Sequence, residues 1–222
     1  MTEHTKDLAG TKLFCGINEN DIADLLGCVQ ARVVRYKKGD MIIKEGDKRR
    51  EFGIMLSGHA RSTKWDASDK LVIITLLKKG SEIGVLLAAN PEHESTVFVE
   101  ALDDDVAVLM IPYNRLLSQC NKNCSRHERM LKNYIGVVAE KGLVLHERIN
   151  CLLKPTIRSK ITTYLLRIAQ DKHERTFTLP VNRNGMAEYL NVERSALSRE
   201  LSRMKHEGLI DYHREDFRLL DL

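Results

Sequence analysis

Apolar residues change their spacing along this 222-residue chain, and each change predicts a different kind of structure. Between residues 11 and 30, Ile22, Leu25, Leu26 and Val29 recur at helical intervals, which predicts a short helical lead. From Ala31 to about Pro112 the pattern becomes short β-branched runs: RVVRY, MIIKEGD, FGIMLSGHA, LVIITLLKKGSEIG, STVFVEAL and DVAVLMIP. Gly39, Gly46, Gly58, Gly80 and Asn90-Pro91 punctuate these runs, the rhythm of a small antiparallel barrel or roll. Beyond Arg126 the spacing lengthens again, and Leu131, Ile135, Val138, Gly142, Leu145, Ile149 and Leu152 alternate by four and three. That is the seam of a two-stranded coiled coil. Such a seam needs a partner, and the simplest is the same helix of a second copy. Gly142 stands in the seam where a large apolar residue is expected. A helical glycine costs about 1 kcal/mol relative to alanine, so its presence points to close helix approach or to space left for something else. Pro155 ends the helix and makes Lys154-Pro155-Thr156 the expected hinge into the last part of the chain.

That last part opens with a predicted helix around Ile157 to Ala169 and a short strand in TFTLP, followed by RNGMAEYLNVERSALSRELSRMK. Met186, Ala187 and Leu190 keep helical spacing, Asn191 interrupts, and Leu197, Leu201 and Met204 resume it. Ala187 is small where a crossing helix must come close, and asparagine accepts a left-handed backbone cheaply. The pattern predicts a helix-turn-helix. Burying Leu197, Leu201 and Met204 leaves Arg194, Ser195, Ser198, Arg199 and Ser202 on the opposite face. Two guanidinium forks flanked by short hydroxyls suit the major groove, where arginine bonds both acceptors of a guanine edge. After Gly208, LIDYHREDFRLLDL predicts two strands around a turn near Glu215-Asp216, forming a wing.

Composition narrows the class. With 43% hydrophobic and 30% charged residues, the chain is globular. No apolar run approaches the roughly 20 residues of a membrane helix, and MTEHTKDLAG lacks the apolar core of a signal peptide, so a cytoplasmic location away from membranes is expected. Five cysteines without regular spacing fit a reducing compartment. A net charge of +4 permits nucleic-acid binding without demanding it. Residues 154–222 hold thirteen Lys/Arg against ten Asp/Glu, so phosphate affinity must come from local placement of charge. Lys48, Arg49 and Arg50 form a basic run at one of the predicted turns, read more simply as a solvated loop than as a binding patch. No paired carboxylates, activated nucleophile or phosphate loop stands in a convincing context, so enzymatic activity is not expected.

The motifs together resemble the Crp/Fnr superfamily of bacterial transcription regulators over nearly the whole chain. The likeness rests on KKGDMIIKEGD, IMLSGHAR, GSEIGVLL, the long helix ending at Pro155, and TLPVNRNGMAEYLNVERSALSRELSRMKHEGLI. It implies an α+β chain of three parts. Residues 1–125 would form an antiparallel β-roll of the jelly-roll or double-stranded β-helix kind that senses an effector, 126–153 a dimerisation helix, and 154–222 a winged helix-turn-helix. The resemblance implies a homodimer on palindromic promoter DNA, with RNA polymerase as a further partner. Arg194, Ser195 and Arg199 fall on base-reading positions, with Ser198 and Arg203 beside them, and Arg183 falls on a phosphate-contacting position. Asn191 replaces a common glycine, and Glu193 replaces the usual serine or threonine cap, leaving the capping of the second helix open.

Cyclic-nucleotide-binding members of the superfamily hold the ribose with a glutamate and the cyclic phosphate with an arginine. Here GSEIGVLLAANPEHESTVFVEA puts Val85 and Ser95 at those positions. A lost charge-assisted pair is worth about 1.5–3 kcal/mol, so cyclic AMP and cyclic GMP are not expected effectors. The pocket lining would be Ile83, Gly84, Val85, Leu86, Thr96 and Val97, closed by Gly142, Leu145 and His146. Such a mixture suits a mostly apolar small molecule, unless the protein's own side chains fill the space. Alternatives are a redox-, haem- or metal-sensing regulator, or a roll that only binds other proteins. Cys15 and Cys28 are too few for the cluster motif of Fnr-type members. Cys120, Cys124 and His127 make a partial ligand set, although a structural site normally takes four ligands. His59, His93 and His146 are the haem candidates.

Overall fold

The computed structural model describes residues 5–65, 71–118 and 125–222. They form two compact units, Met1–Ala139 and Glu140–Leu222.

The first unit begins with α1 (Thr5–Ala9), a single 3₁₀ turn (Lys12–Phe14) and α2 (Glu19–Cys28). Ile22, Leu25 and Leu26 are the buried residues of α2, as their spacing predicts. Eight strands follow: β1 (Arg32–Tyr36), β2 (Met41–Ile43), β3 (Glu51–Ser57), β4 (Ala60–Trp65), β5 (Leu71–Leu77), β6 (Glu82–Ile83), β7 (Phe98–Ala101) and β8 (Val106–Pro112). They pair antiparallel in two four-stranded sheets, ordered β1-β8-β3-β6 and β2-β7-β4-β5. A short helix, α3 (Val85–Ala89), interrupts the strands between β6 and β7, and a second, α4 (Tyr113–Leu117), follows β8.

β3 and β8 lie side by side, with Phe52 opposite Ile111 and Ile54 opposite Leu109. Their residues alternate between two cores because strand side chains point to opposite faces. Phe52, Ile54, Leu56, Ala107, Leu109 and Ile111 join the helices in one core. Met55, Val106, Val108 and Met110 fill the interior of the roll. That double burial explains why DVAVLMIP is a continuous apolar run. Gly53 sits where β3 comes closest to its neighbour: a Cβ there would lie 2.7 Å from Val108 Cγ1 and 2.9 Å from Met110 Sδ. The edge strand β5 is apolar yet exposed along Leu71, Val72, Ile73, Ile74 and Leu76.

The long helix α5 (Ser125–Leu152) is the predicted seam helix. Its first half packs within the first unit through Met130, Tyr134 and Val137. Its last turns belong to the second unit. The division therefore falls inside α5 rather than at Lys154-Pro155-Thr156, because the expected hinge is bracketed by residues of one core, with Cys151 before it and Ile161 after it. Within the second unit Glu147 of α5 pairs with Arg167 at 2.9 Å, and Arg148 lies 5.4 Å from the centre of the Tyr189 ring.

The rest of that unit comprises α6 (Ile157–Lys172), β9 (Thr176–Thr178), α7 (Arg183–Leu190), α8 (Arg194–His206), β10 (Ile210–His213) and β11 (Asp216–Leu219). A reciprocal cap starts α6: the Thr156 hydroxyl accepts from Ser159 N, and the Ser159 hydroxyl accepts from Thr156 N. The strands form one small sheet in the order β10-β11-β9. The wing reverses at Arg214-Glu215, one residue earlier than its composition predicts, with Arg214 in the left-handed region at φ 54°.

Candidate nucleic-acid interface

The helix-turn-helix is assembled by local chemistry at each end. Asn182 begins α7 by accepting a hydrogen bond from Gly185 N at 3.0 Å. Met186, Ala187 and Leu190 are buried. Asn191 then takes φ 48°, and Val192 N reaches back to Ala187 O at 3.0 Å. This left-handed residue closes the helix and turns the chain.

Glu193 resolves the open question of the second cap. Its carboxylate accepts from Ser195 N and from Ala196 N, both at 3.2 Å, and also from the Ser195 hydroxyl. Those bonds, the Ser195 side chain's first, hold the Glu193 carboxyl below its ordinary range. A glutamate thus does the work of the shorter caps, and its charge suits the helix N-terminus.

From that start α8 buries Leu197, Leu201 and Met204. Arg194, Ser195, Arg199, Ser202 and Arg203 are exposed, and Ser198 is half-buried. Two acids on the helix and just beyond it are neutralised from α6. Arg158 donates Nε to Glu200 at 2.6 Å, and both terminal nitrogens to Glu207 at 2.7 and 2.9 Å. These bonds, Glu207's first, raise the Arg158 pKa, while Arg158 lowers that of Glu207. Arg203 approaches Glu200 at 3.6 Å with 71% of its side chain exposed. Among the described residues no ion pair engages Arg194 or Arg199. Ser202 donates to Ser198 O at 3.0 Å, so its hydroxyl is used within the helix.

Arg183 has a contact that its spacing does not reveal. Its guanidinium lies over the rings of Tyr212 and Phe217, 4.9 and 5.4 Å from their centres. Nη2 donates to Arg214 O at 3.4 Å. Half-buried against these rings, Arg183 has its pKa lowered by desolvation. Lys205 binds Tyr212 O at 3.1 Å and Asp211 at 2.6 Å. Arg183 and Lys205 therefore clamp β10 of the wing to α7 and α8.

Residues 159–222 match the family of Crp-like helix-turn-helix domains, and residues 33–123 match the family of cyclic nucleotide-binding domains. Between them the two matches cover most of the chain. The transcriptional activator protein FnrA of Stutzerimonas stutzeri is 26% identical over 98% of this chain and 89% of its own length. The chain belongs to the Crp/Fnr family of transcription regulators. Solved structures share the fold. The catabolite activator protein of Thermus thermophilus superposes with a TM-score of 0.57 at 18% identity, covering 95% of this chain and 94% of that one. A CooA variant from Carboxydothermus hydrogenoformans gives 0.60 at 18% identity, covering 96% of each.

In this Crp/Fnr regulator the cassette residues are dispersed in their roles. Ile83 packs into the interior of the roll and Val85 into the core beneath the helices, each 2% exposed. Gly84 precedes α3 at φ 67°, Leu86 and Thr96 are exposed, and Val97 is half-buried. The Tyr134 hydroxyl donates to Val85 O at 2.6 Å, tying the start of α3 to α5. Ser95 is buried, and its hydroxyl donates to Val97 O at 2.7 Å. Between Ile83 and Val97 there is no lysine or arginine. Gly142, Leu145 and His146 are exposed on the α5 segment of the second unit, and a Cβ at Gly142 would meet nothing within 4 Å. Structure thus brings Ile83 to Leu86 together around the start of α3, with Ile83 and Val85 turned into the core.

The histidines and cysteines are scattered. His59 Nδ1 lies 2.9 Å from Asp103, His93 is exposed, and His146 Nδ1 lies 3.4 Å from Asn150 Nδ2. His127 is buried with Nε2 2.8 Å from Arg115 O. Cys120 and Cys124 lie outside the described residues. Cys15 and Cys28 are exposed on the first unit.

Proposed function

We propose that this regulator acts in the cytoplasm as a homodimer, placing two copies of α8 in successive major grooves about 34 Å apart on a palindromic promoter site. Arg194 and Arg199 read base edges, helped by Ser195 and Ser198. Arg203 and Arg183 supply phosphate contacts, and RNA polymerase is the partner that the bound dimer addresses. The observation that carries this reading is the exposed face of α8, where among the described residues no ion pair engages Arg194 or Arg199 while Glu193, Glu200 and Glu207 are held by other groups. Among the described residues no helix is long and apolar enough to cross a membrane.

Dimerisation is supported by α5, which leaves Ile135, Leu145 and Ile149 of its seam 51 to 59% exposed. Each such side chain contributes about 1.5–3 kcal/mol when fully buried, which is reason enough for a second copy to cover them. The controlling effector is a small molecule other than a cyclic nucleotide. The cassette offers no cation for a cyclic phosphate, and the Ser95 hydroxyl is already bonded to Val97 O. Its contacts would come from the exposed part of the cassette, Leu86 and Thr96.

A gel-shift titration on the protein's own upstream DNA tests the reading. Salt-sensitive binding that prefers one sequence is expected, together with sedimentation as a dimer that Leu145→Glu converts to a monomer. A monomeric wild-type protein that binds scrambled duplex equally well would overturn it.

A further inference from the structure

We propose that the first unit carries an anion site outside the cassette, at the turn between β2 and β3, built for a small molecule bearing two or more adjacent phosphates. The basic run that reads as a solvated loop in sequence folds back against the start of α4. There it walls an open hollow of about 790 Å³ with Lys44, Asn114 and Pro112. That volume lies within the range of about 300–1,000 Å³ usual for small-molecule sites.

The charges in the wall are unevenly matched. Asp47 already accepts from Lys44 N at 2.9 Å and from Arg49 at 3.0 Å. Glu51 is held by both terminal nitrogens of Arg32, one of them at 2.8 Å. Arg49 also donates to Ile42 O, so it is a structural member of the turn. Lys48 and Arg50 remain, sharing the mostly exposed Glu92 at 3.7 and 3.9 Å, beyond good hydrogen-bond length. Among the described residues neither the Lys44 ammonium nor the Asn114 amide has a hydrogen-bond or ion-pair partner. Lys44, Lys48, Arg50 and the Asn114 amide therefore line the hollow beside two carboxylates, Asp47 and Glu51, that are already engaged by Arg49 and Arg32, while Glu92 holds Lys48 and Arg50 only loosely. A guanidinium fork binds phosphate oxygens in pairs, and the two ammoniums add charge without fixing direction.

Occupancy would act on the cassette. The same turn is bonded to the segment before β7 through Gly46 N to Ser95 O at 2.8 Å and Ser95 N to Asp47 O at 2.9 Å. Lys48 and Glu94 form a β-bridge there. A polyphosphate that draws Lys48 and Arg50 away from Glu92 frees the loop that leads directly into Thr96 and Val97.

Calorimetric titration of the full chain with sodium tripolyphosphate at low salt tests the site, with orthophosphate and a hexaglutamate peptide as comparators. Tripolyphosphate is expected to bind at least about tenfold more tightly than either. Arg50→Glu should weaken it by about tenfold or more, and Glu92→Gln should strengthen it by removing the internal competitor. Arg199→Ala should leave it unchanged. The proposal fails if tripolyphosphate gives no heat at millimolar concentration. It also fails if Arg50→Glu binds like wild type while Arg199→Ala does not, which would place the anion on the DNA-reading face. Equal binding of hexaglutamate overturns it as well, since the surface would then suit an acidic protein.

Discussion

Replacing Tyr134 by phenylalanine isolates one hydrogen bond between α5 and the cassette. The ring is 2% exposed, 4.7 Å from Phe52 and 5.3 Å from Tyr113 between centres, and phenylalanine keeps those contacts. What disappears is the 2.6 Å bond to Val85 O. Burial raises the Tyr134 pKa, so the hydroxyl keeps its proton and remains a donor. Losing a buried bond of this kind costs about 1–2 kcal/mol. With a urea dependence of about 1–3 kcal/mol per molar, the unfolding midpoint should fall by about 0.3–2 M. The chain has a single tryptophan, Trp65, and it lies in β4, so fluorescence follows unfolding of the roll without a signal from the reading domain. Tyr134→Ala, which also empties the aromatic site, should cost about 3–5 kcal/mol. A phenylalanine variant that unfolds at the wild-type midpoint would refute the reasoning, since the bond would then contribute nothing to holding α3 against α5.

Further outcomes rest on other contacts. Arg199→Ala should reduce discrimination between cognate and scrambled DNA by about 1–3 kcal/mol in competition gel shifts. Arg183→Ala should instead lower the melting temperature of the reading domain as well as its affinity for both sequences, because its stacking on Tyr212 and Phe217 is lost; an unchanged melting temperature would count against the wing clamp. Glu193→Ala should destabilise α8, visible as faster amide exchange at Ser195 and Ala196, whose N–H groups it caps. Gly53→Ala should destabilise the roll by about 1–3 kcal/mol, since its new methyl meets Val108 and Met110 across the sheet. The Arg32 hydrogen bond holds the Glu51 carboxyl below its ordinary value of 4.5. Its stabilising effect is therefore present above that pH and is lost as pH falls through the lowered folded value. In acid titrations the stability gap between wild type and Glu51→Gln should close over that interval, and a gap unchanged from neutral pH to pH 3 would exclude the pair as its source.

The reading domain was the most legible part of the chain because its signals are local. Met186, Ala187 and Leu190 before Asn191, then Leu197, Leu201 and Met204, mark both helices and the turn between them without reference to distant residues. The wing turn was displaced by one residue because Arg214 adopts a left-handed conformation that no glycine or asparagine announces. Glu193 was hard to assign as a cap since glutamate rarely serves as one, and its reach to two backbone donors depends on geometry that spacing does not encode. Contacts between remote segments were invisible: nothing near Arg183 foretells that Tyr212 and Phe217 come to lie beneath it. The cassette was misleading in a similar way. Ile83 and Val85 read as pocket lining when considered one loop at a time, but the two cores on either side of β3 and β8 claim them.

Cys151 carries a practical consequence. Its thiol is wholly buried among the reading-domain residues, and desolvation raises its pKa, whereas Cys15 and Cys28 are open to solvent. An alkylating reagent must wait for that core to part before it can modify this sulfur. The pace of labelling at Cys151, followed by peptide mass spectrometry, is thus an intrinsic clock for how often the reading domain opens, and it runs without any engineered probe.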